Sequence, residues 1–158
     1  MQTFLPHPDF ETTARLLDDR RLGKQRVEAL QVLRALTRDK YGWKSHPAVL
    51  MWAGYEEALV AYALAMCAEW RRRGHPDTVA TTVVEDFGKA CGTTRVRGQD
   101  ALRSAKALPP WIYDERLHQS HRSALVRKEP HHYRGLFADV PDDLPYVWPV
   151  RSQRNGDR

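Results

Sequence analysis

The stretch from Asp18 to Leu36 most constrains the fold, because its apolar residues recur at the spacing of an α-helix. Asp18 or Asp19 is placed to cap the first N–H groups, and a carboxylate there suits the positive end of the helix dipole. We therefore predict one helix of about five turns with one core-facing side. Its apolar face consists of Leu22, Ala29, Leu30, Val32, Leu33 and Leu36.

Polar side chains interrupt that apolar face. Gln25 and Arg26 fall inside the apolar arc, where aliphatic residues are expected. Arg21, Lys24 and Glu28 lie together on its flank, about one turn apart. Desolvating a guanidinium without a partner is costly, so Arg26 must meet a carboxylate, a carbonyl or a ligand phosphate. An internal ion pair and a functional site are both open, and the crowding of polar groups around one acid favours the site.

Four other segments also have helical patterns. A short helix is predicted before the first long one, and Pro47 at the first position of a later helix follows a cap by Ser45 or His46. The last helix is predicted to start after a cap by Asp114. These four helices are predicted over residues 9–17, 47–73, 78–90 and 115–128.

The remaining segments lack a helical period. Residues 91–106 are predicted to be a loop, and the proline-containing segments 1–10 and 139–149 are predicted to be extended. Residues 151–158 are polar and are predicted to fray. With no alternating strand pattern, we predict an all-α fold, a single compact helical domain over residues 1–150 with long central helices and extended terminal segments.

Charge and cysteine content suggest the setting in which the chain works. The net charge of +5 and pI near 9.4 mildly favour a polyanionic partner. Cys67 and Cys91 have no metal-like spacing and are too few for a disulfide scaffold, which favours a reducing compartment. No signal peptide is recognised, and the apolar run Ala58–Ala68 is too short to span a membrane. We predict a cytoplasmic protein with no membrane partner.

A metal site is one chemical alternative. His118 and His121 are three residues apart on one predicted helix face, and His46 or Glu28 could complete a ligand set. However, the chain has 7 histidines, so one such pair is expected by chance, and no His-Glu-x-x-His pattern supports it. We therefore predict neither a metal ion nor a cofactor.

A nucleic-acid surface without catalysis is a second alternative. Arginine and lysine could contact phosphates, and exposed aromatic rings could stack on bases. Trp52 is excluded from that role because its helical spacing places it in the core, and the arginines at 71–73 also suit a helix C-terminus. The candidate residues are Arg20, Arg21, Lys24, Arg71, Arg72, Arg73, Arg95, Arg97, Arg122, Trp43, Tyr133 and Trp148.

A family resemblance supports a third alternative. Glu28 is followed by Trp43-Lys-Ser-His-Pro47, and the next helix closes with Glu69-Trp-Arg-Arg-Arg-Gly-His75. Later, Ser120-His121 precedes Leu125, Lys128, Pro130 and Tyr133. This arrangement resembles the pyrimidine dimer DNA glycosylases of the phage endonuclease V type over roughly residues 1 to 137.

The resemblance implies a specific chemistry. Such enzymes are all-helical and metal-free, bind damaged DNA and flip out a base. Their N-terminal α-amine attacks the sugar C1′ to form an imine that undergoes strand-cleaving elimination, and a glutamate assists. α-Amines in general have pKa values of about 8, so a usable fraction is neutral near pH 7. Here Met1 would supply the amine, or Glu28 would activate water in a glycosylase without lyase activity.

We therefore predict a monomeric enzyme that excises a damaged or modified base from double-stranded DNA. Glu28 would be the catalytic carboxylate and Met1 the source of the amine. A non-catalytic nucleic-acid-binding protein of the same fold is the alternative. The residues predicted to contact DNA are Arg21, Lys24, Gln25, Arg26, His46, His121, Arg122 and Lys128.

Overall fold

The computed structural model describes residues 1–150, and every regular element in that range is a helix. The predicted all-α fold is therefore confirmed, whereas the polar tail at 151–158 lies outside the described residues. The helices are α1 (Phe10–Leu16), α2 (Asp19–Thr37), α3 (Pro47–Leu50), α4 (Glu56–Arg72), α5 (Val79–Cys91), α6 (Gln99–Ser104), α7 (Glu115–Lys128) and α8 (Pro130–Tyr133).

Helices α2 and α4 form the centre of the fold. They pack against each other, and α4 also contacts α1 while both contact α5. Five of the six residues predicted for the apolar face of α2 are buried, and only Leu36 is partly exposed. Trp52 is also fully buried, as its spacing predicts. Buried apolar residues from Phe4 to Val140 belong to one core cluster.

The start of α2 is fixed differently from the prediction. Asp18 occupies the N-cap position but its carboxylate makes no capping hydrogen bond. Instead the carboxylate accepts hydrogen bonds from the Tyr133 hydroxyl and from Arg21, the latter at 3.2 Å. The backbone N–H of Asp18 also donates to the Tyr133 oxygen at 2.9 Å. Asp18 therefore joins α8 to α2 rather than satisfying the first N–H groups of α2.

The prediction of one helix over residues 47–73 is wrong. The chain forms α3, leaves the helix at residues 51–55, and starts again as α4. Gly54 has φ +84°, a left-handed conformation that an α-helix cannot contain. The apolar spacing hid this break because Met51 and Trp52 are buried in the turn itself. The predicted start is correct, since the Nδ1 of His46 accepts from the Ala48 N–H at 3.0 Å.

The predicted loop over residues 91–106 contains the short helix α6. Leu102 anchors α6 because its side chain is fully buried. Gln99 ties α6 to the N-terminal part of the chain, donating to the Pro8 carbonyl and accepting from the Phe10 N–H, both at 2.7 Å. The loop prediction failed because six residues with one buried leucine give too little period to recognise.

The prediction of extended terminal segments holds only in part: residues 1–5 and 143–148 have no helix or turn, whereas residues 6–9 bend, Phe10 begins α1 and residues 139–140 lie in a turn. Beside α7, the Leu144 and Val147 N–H groups donate to the hydroxyls of Ser123 and Ser120, at 3.0 and 3.1 Å. We call residues 141–149 the C-terminal segment. Each helix within residues 1–150 is too short or too polar to cross a membrane.

Candidate active site

Residues 1–5, which we call the N-terminal segment, contact α2, α4 and α7. Gln2, Thr3, Phe4 and Leu5 are buried, whereas Met1 is partly exposed. The Phe4 N–H donates to Gln25 Oε1 at 2.8 Å on α2, and the Leu5 N–H donates to a histidine of α7. Each main-chain bond ends on a buried side chain, so the segment has one defined path.

Gln25 connects this segment to Glu28. Its Oε1 accepts from Phe4, and the Tyr62 hydroxyl lies 2.8 Å from the same oxygen and 2.7 Å from the Phe4 carbonyl oxygen. Its Nε2 donates to Glu28 Oε2 at 2.9 Å. Glu28 itself is partly exposed, so its carboxylate is held on one side and reachable from solvent on the other.

Met1 and His46 lie close enough to interact electrostatically. Burial lowers the pKa of His46, and the positive charge of the N-terminal ammonium lowers it further. His46 Nδ1 already accepts the capping hydrogen bond of α3, which fits a neutral imidazole. Met1 is thus beside a neutral ring, and only two residues separate it from Phe4, where the Phe4–Gln25–Glu28 connection begins.

Two aromatic residues of the C-terminal segment complete this region. The Tyr146 ring lies 6.5 Å from that of Phe4, and the Trp148 ring lies 5.7 Å from that of His46. Burial raises the pKa of Tyr146, which the charge of Arg127 lowers and that of Glu28 raises. Tyr146 therefore lies within electrostatic range of the Glu28 carboxylate.

A sequence model described as pyrimidine dimer DNA glycosylase matches residues 1–82. The match includes the N-terminal segment, Gln25, Glu28 and His46. The chain belongs to this family of pyrimidine dimer DNA glycosylases. Membership implies DNA repair by a glycosylase-type activity, with DNA as substrate. Comparison with curated proteins and with solved structures gave no match.

In this member of the glycosylase family, Arg26 forms an internal ion pair, which was one of the two roles left open for its side chain. Its guanidinium forms an ion pair with Asp77 and lies 4.5 Å from the centre of the Trp70 ring. Asp77 also accepts from the Ala80 N–H at 3.0 Å at the start of α5. Arg26 thus connects α2 to α5, so its position differs from the predicted one in the DNA site.

The other predicted DNA-contacting cations divide into two groups. Arg21 lies 3.2 Å from Asp18 and 3.7 Å from Glu129, and Arg122 donates to the Pro6 carbonyl at 2.8 Å. Both guanidinium groups therefore stabilise contacts within the fold. Lys24 on α2 and Lys128 at the end of α7 are exposed.

His121 and His118 hold the N-terminal segment instead of a metal ion. His121 is fully buried, and its Nδ1 accepts from the Leu5 N–H at 2.9 Å. Burial and the nearby His118 lower the pKa of His121 to about 3, so it is neutral and cannot reach DNA. The nitrogens of His118 lie 2.6 Å from the Leu5 carbonyl and 2.7 Å from that of Ile112. Over residues 1–150, no group of three or more His, Cys, Asp or Glu is placed to bind a metal.

The arginines at the end of α4 also have structural roles. Arg72 and Arg73 both pair with Glu69, at 2.5 and 3.1 Å, and Arg73 reaches Asp19 at 2.9 Å. A cavity of about 690 Å³ lies beside this cluster, between α1, α4 and the segment that leads to α6. Glu28 is not among its lining residues, so the candidate active site lies outside this cavity.

Sequence reasoning did not assign Tyr146 to the site. Its position depends on the C-terminal segment lying along α7, which residues far apart in sequence determine. A usable signal was present, since Tyr146 and Trp148 alternate in an extended segment and therefore face the same side.

Proposed function

We propose that this protein excises a damaged base from double-stranded DNA, with Glu28 as the catalytic carboxylate and the Met1 α-amine as the nucleophile. The observation that carries the proposal is the hydrogen-bonded connection from Phe4 through Gln25 to Glu28. It fixes a solvent-accessible carboxylate relative to the chain terminus. Positioning of two reacting groups in this way is a main source of catalytic rate.

The proposed chemistry requires only these two groups. The neutral amine forms a bond to the sugar C1′, and the glycosidic bond between C1′ and the base nitrogen breaks. Its electron pair leaves on the base, which takes up a proton. The amine then loses a proton, and the C1′–O4′ bond breaks as O4′ takes up a proton, which opens the sugar ring and gives an iminium ion. The Glu28 carboxylate stabilises the positive charge at C1′ and moves protons. Loss of a proton from C2′, with formation of the C2′–C3′ double bond and departure of the 3′ phosphate, would then cut the strand.

Surface charge supports DNA as the substrate. Lys24 lies one turn before Glu28 on α2. The charges of Arg127 and Glu28 both affect the pKa of Tyr146. Lys128 follows Arg127 at the end of α7 and is exposed. We expect these three cations to bind phosphates on either side of the lesion, with Lys24 the one on the same helix as the carboxylate.

Replacement of Glu28 tests the catalytic assignment. Glu28→Gln should reduce base release from ultraviolet-irradiated duplex by at least about 100-fold, because a positioned acid–base group contributes about that much. Base release is measured as alkali-labile strand breaks at the freed sugar, because a dimerised base stays joined to its neighbour. Binding should be kept or improved, since a negative charge near DNA is removed. Glu85→Gln is the control because Glu85 is an exposed acid on α5. Undiminished base release in Glu28→Gln would refute the catalytic role of Glu28, whereas absence of base release by the wild-type protein would leave a binding protein of the same fold.

Borohydride trapping tests the nucleophile. Reduction of the iminium ion should join protein and DNA covalently, and trypsin digestion should then place the DNA on peptide 1–15. That peptide contains no lysine, so an adduct on it can arise only from the α-amine of Met1. An adduct on a lysine peptide would contradict the role of Met1. Base release without any adduct would instead favour a glycosylase in which Glu28 activates water.

A further inference from the structure

Trp43 is a large apolar side chain that the fold leaves in solvent. It lies between α2 and α3, and 61 % of its surface is exposed, compared with 0 % for Trp52. Its neighbours in sequence, Gly42, Lys44 and Ser45, are exposed as well, so no wide apolar patch surrounds the ring. Single exposed apolar side chains are common on protein surfaces, so it is the backbone at Trp43 that sets this residue apart.

The backbone at Trp43 is held in an unfavourable conformation. Its φ is +67°, in the left-handed region that bulky L residues rarely adopt. The flanking residues fix this geometry. The Lys44 Nζ donates to the Ala35 carbonyl at 2.7 Å and to the Arg38 carbonyl, and the His46 N–H donates to the Trp43 carbonyl at 2.9 Å. Conformations of this kind persist where the surrounding structure enforces them, and they concentrate at functional sites.

The ring of Trp43 continues the aromatic surface beside the chain terminus. It meets His46 edge to face at 5.8 Å and 75°, and His46 meets Trp148 at 5.7 Å and 86°. We call these three residues the aromatic shelf. The charge of the N-terminal ammonium lowers the pKa of His46, so the shelf borders the group proposed to attack the sugar.

We propose that the exposed face of Trp43 stacks on an unpaired nucleobase that leaves the duplex when DNA binds. This subsite rests on the proposed function for its location beside the reacting sugar. Base stacking on an aromatic ring requires one free π face and tolerates every base. The charge of this segment suits a nucleotide, because Lys40 is exposed, whereas Arg38 pairs with Asp86 and Lys44 donates to two carbonyl groups. A protein partner would require a larger apolar surface than one ring.

Binding to DNA with one unpaired base tests the proposal. Fluorescence anisotropy would compare a labelled duplex containing one bulged adenine with its fully paired counterpart, at one salt concentration. Trp43→Ala should weaken bulge binding by about 5- to 150-fold, which corresponds to the 1–3 kcal/mol of one stacked base. Paired-duplex binding should change by less than about twofold. Tyr113→Ala is the control, because Tyr113 is 57 % exposed and makes no contact with the shelf.

A second substitution separates stacking from folding. Trp43→Gly should lose the bulge preference as Trp43→Ala does, yet melt at the same or a higher temperature than Trp43→Ala. Glycine adopts the left-handed conformation freely, whereas alanine keeps the strain. A bulge preference that survives both substitutions would overturn the proposal, as would an equal loss on both duplexes. So would sedimentation showing a wild-type dimer that Trp43→Ala converts to monomer, because a second copy would then cover the ring.

The two proposals can fail separately, because anisotropy requires no bond breaking. If Glu28→Gln leaves base release unchanged while bulge binding still depends on Trp43, only the catalytic proposal fails. If Glu28→Gln abolishes base release and Trp43 has no effect on bulge binding, only the stacking subsite fails.

Discussion

The substitution Gln25→Leu tests the connection between the N-terminal segment and Glu28. Leucine has a similar size but can neither accept from the Phe4 N–H nor donate to Glu28. The Phe4 N–H would be buried without an acceptor, at a cost of about 1–3 kcal/mol. The Tyr62 hydroxyl can still donate to the Phe4 carbonyl, 2.7 Å away, so it adds little to the loss. We expect the free energy of unfolding to fall by about 2 kcal/mol.

Urea unfolding followed by circular dichroism measures this loss. A loss of about 2 kcal/mol corresponds to a melting temperature about 4–8 °C lower for a chain of this size. Gln31→Leu is the matched control, because Gln31 lies on the same helix and is partly exposed. Equal stability of the two variants, within about 0.5 kcal/mol, would refute the argument that Gln25 anchors the N-terminal segment.

Gln25→Glu separates anchoring from positioning. The new carboxylate still accepts from Phe4 and Tyr62 but faces the Glu28 carboxylate where an amide donated before. Two adjacent carboxylates share one proton until a higher pH. The acid side of the pH–rate profile for base release should therefore move to higher pH. An unshifted profile would show that Gln25 does not act on Glu28.

Three further predictions concern stability and reactivity. Gly23→Ala should destabilise the protein by about 1 kcal/mol despite better helix propensity, because the added Cβ would lie 3.0 Å from the Trp70 ring; urea unfolding measures this. His121 binds no proton when folded until about pH 3 but titrates near 6.5 when unfolded. The contribution of neutral His121 to the free energy of unfolding is therefore complete above pH 6.5 and is lost as the pH falls towards 3. Urea unfolding curves should show that the free energy of unfolding falls by about 2 kcal/mol between pH 6.5 and 5, and that this loss is absent in His121→Gln. A thiol reagent should modify exposed Cys91 in the native protein but Cys67 only in urea, because Cys67 is buried and burial raises its pKa to about 12; two reactive thiols without urea would contradict this.

Local patterns predicted the helices where periodicity and caps agreed. The bounds of α7 match the prediction at both ends, and Asp114 caps it as expected, accepting from the Arg116 N–H at 3.1 Å. Periodicity failed at residues 51–55, because buried side chains in a turn continue the apolar spacing of the helices around it. A sequence pattern reports burial, and only backbone constraints such as Gly54 report the turn.

The candidate site was predictable only in part. Glu28 was recognised as the acid of a polar group on an apolar helix, and the structure places it on a partly exposed surface. The roles of its neighbours depend on residues distant in sequence: Asp77 is 51 positions from Arg26, and Leu5 is 116 positions from His121. Helix geometry locates a side chain on its own element, but such partners are fixed by tertiary packing.

The C-terminal segment is held through its main chain, so its side chains can vary. Ser120 and Ser123 bind main-chain N–H groups at positions 144 and 147, which every residue except proline provides. The two serines are one helical turn apart, so they fix the register of the segment without regard to its side chains. Tyr146 and Trp148 can therefore be exchanged while the backbone keeps its course. We expect relatives that differ at these two positions to prefer different lesions, with α2 and Glu28 unchanged.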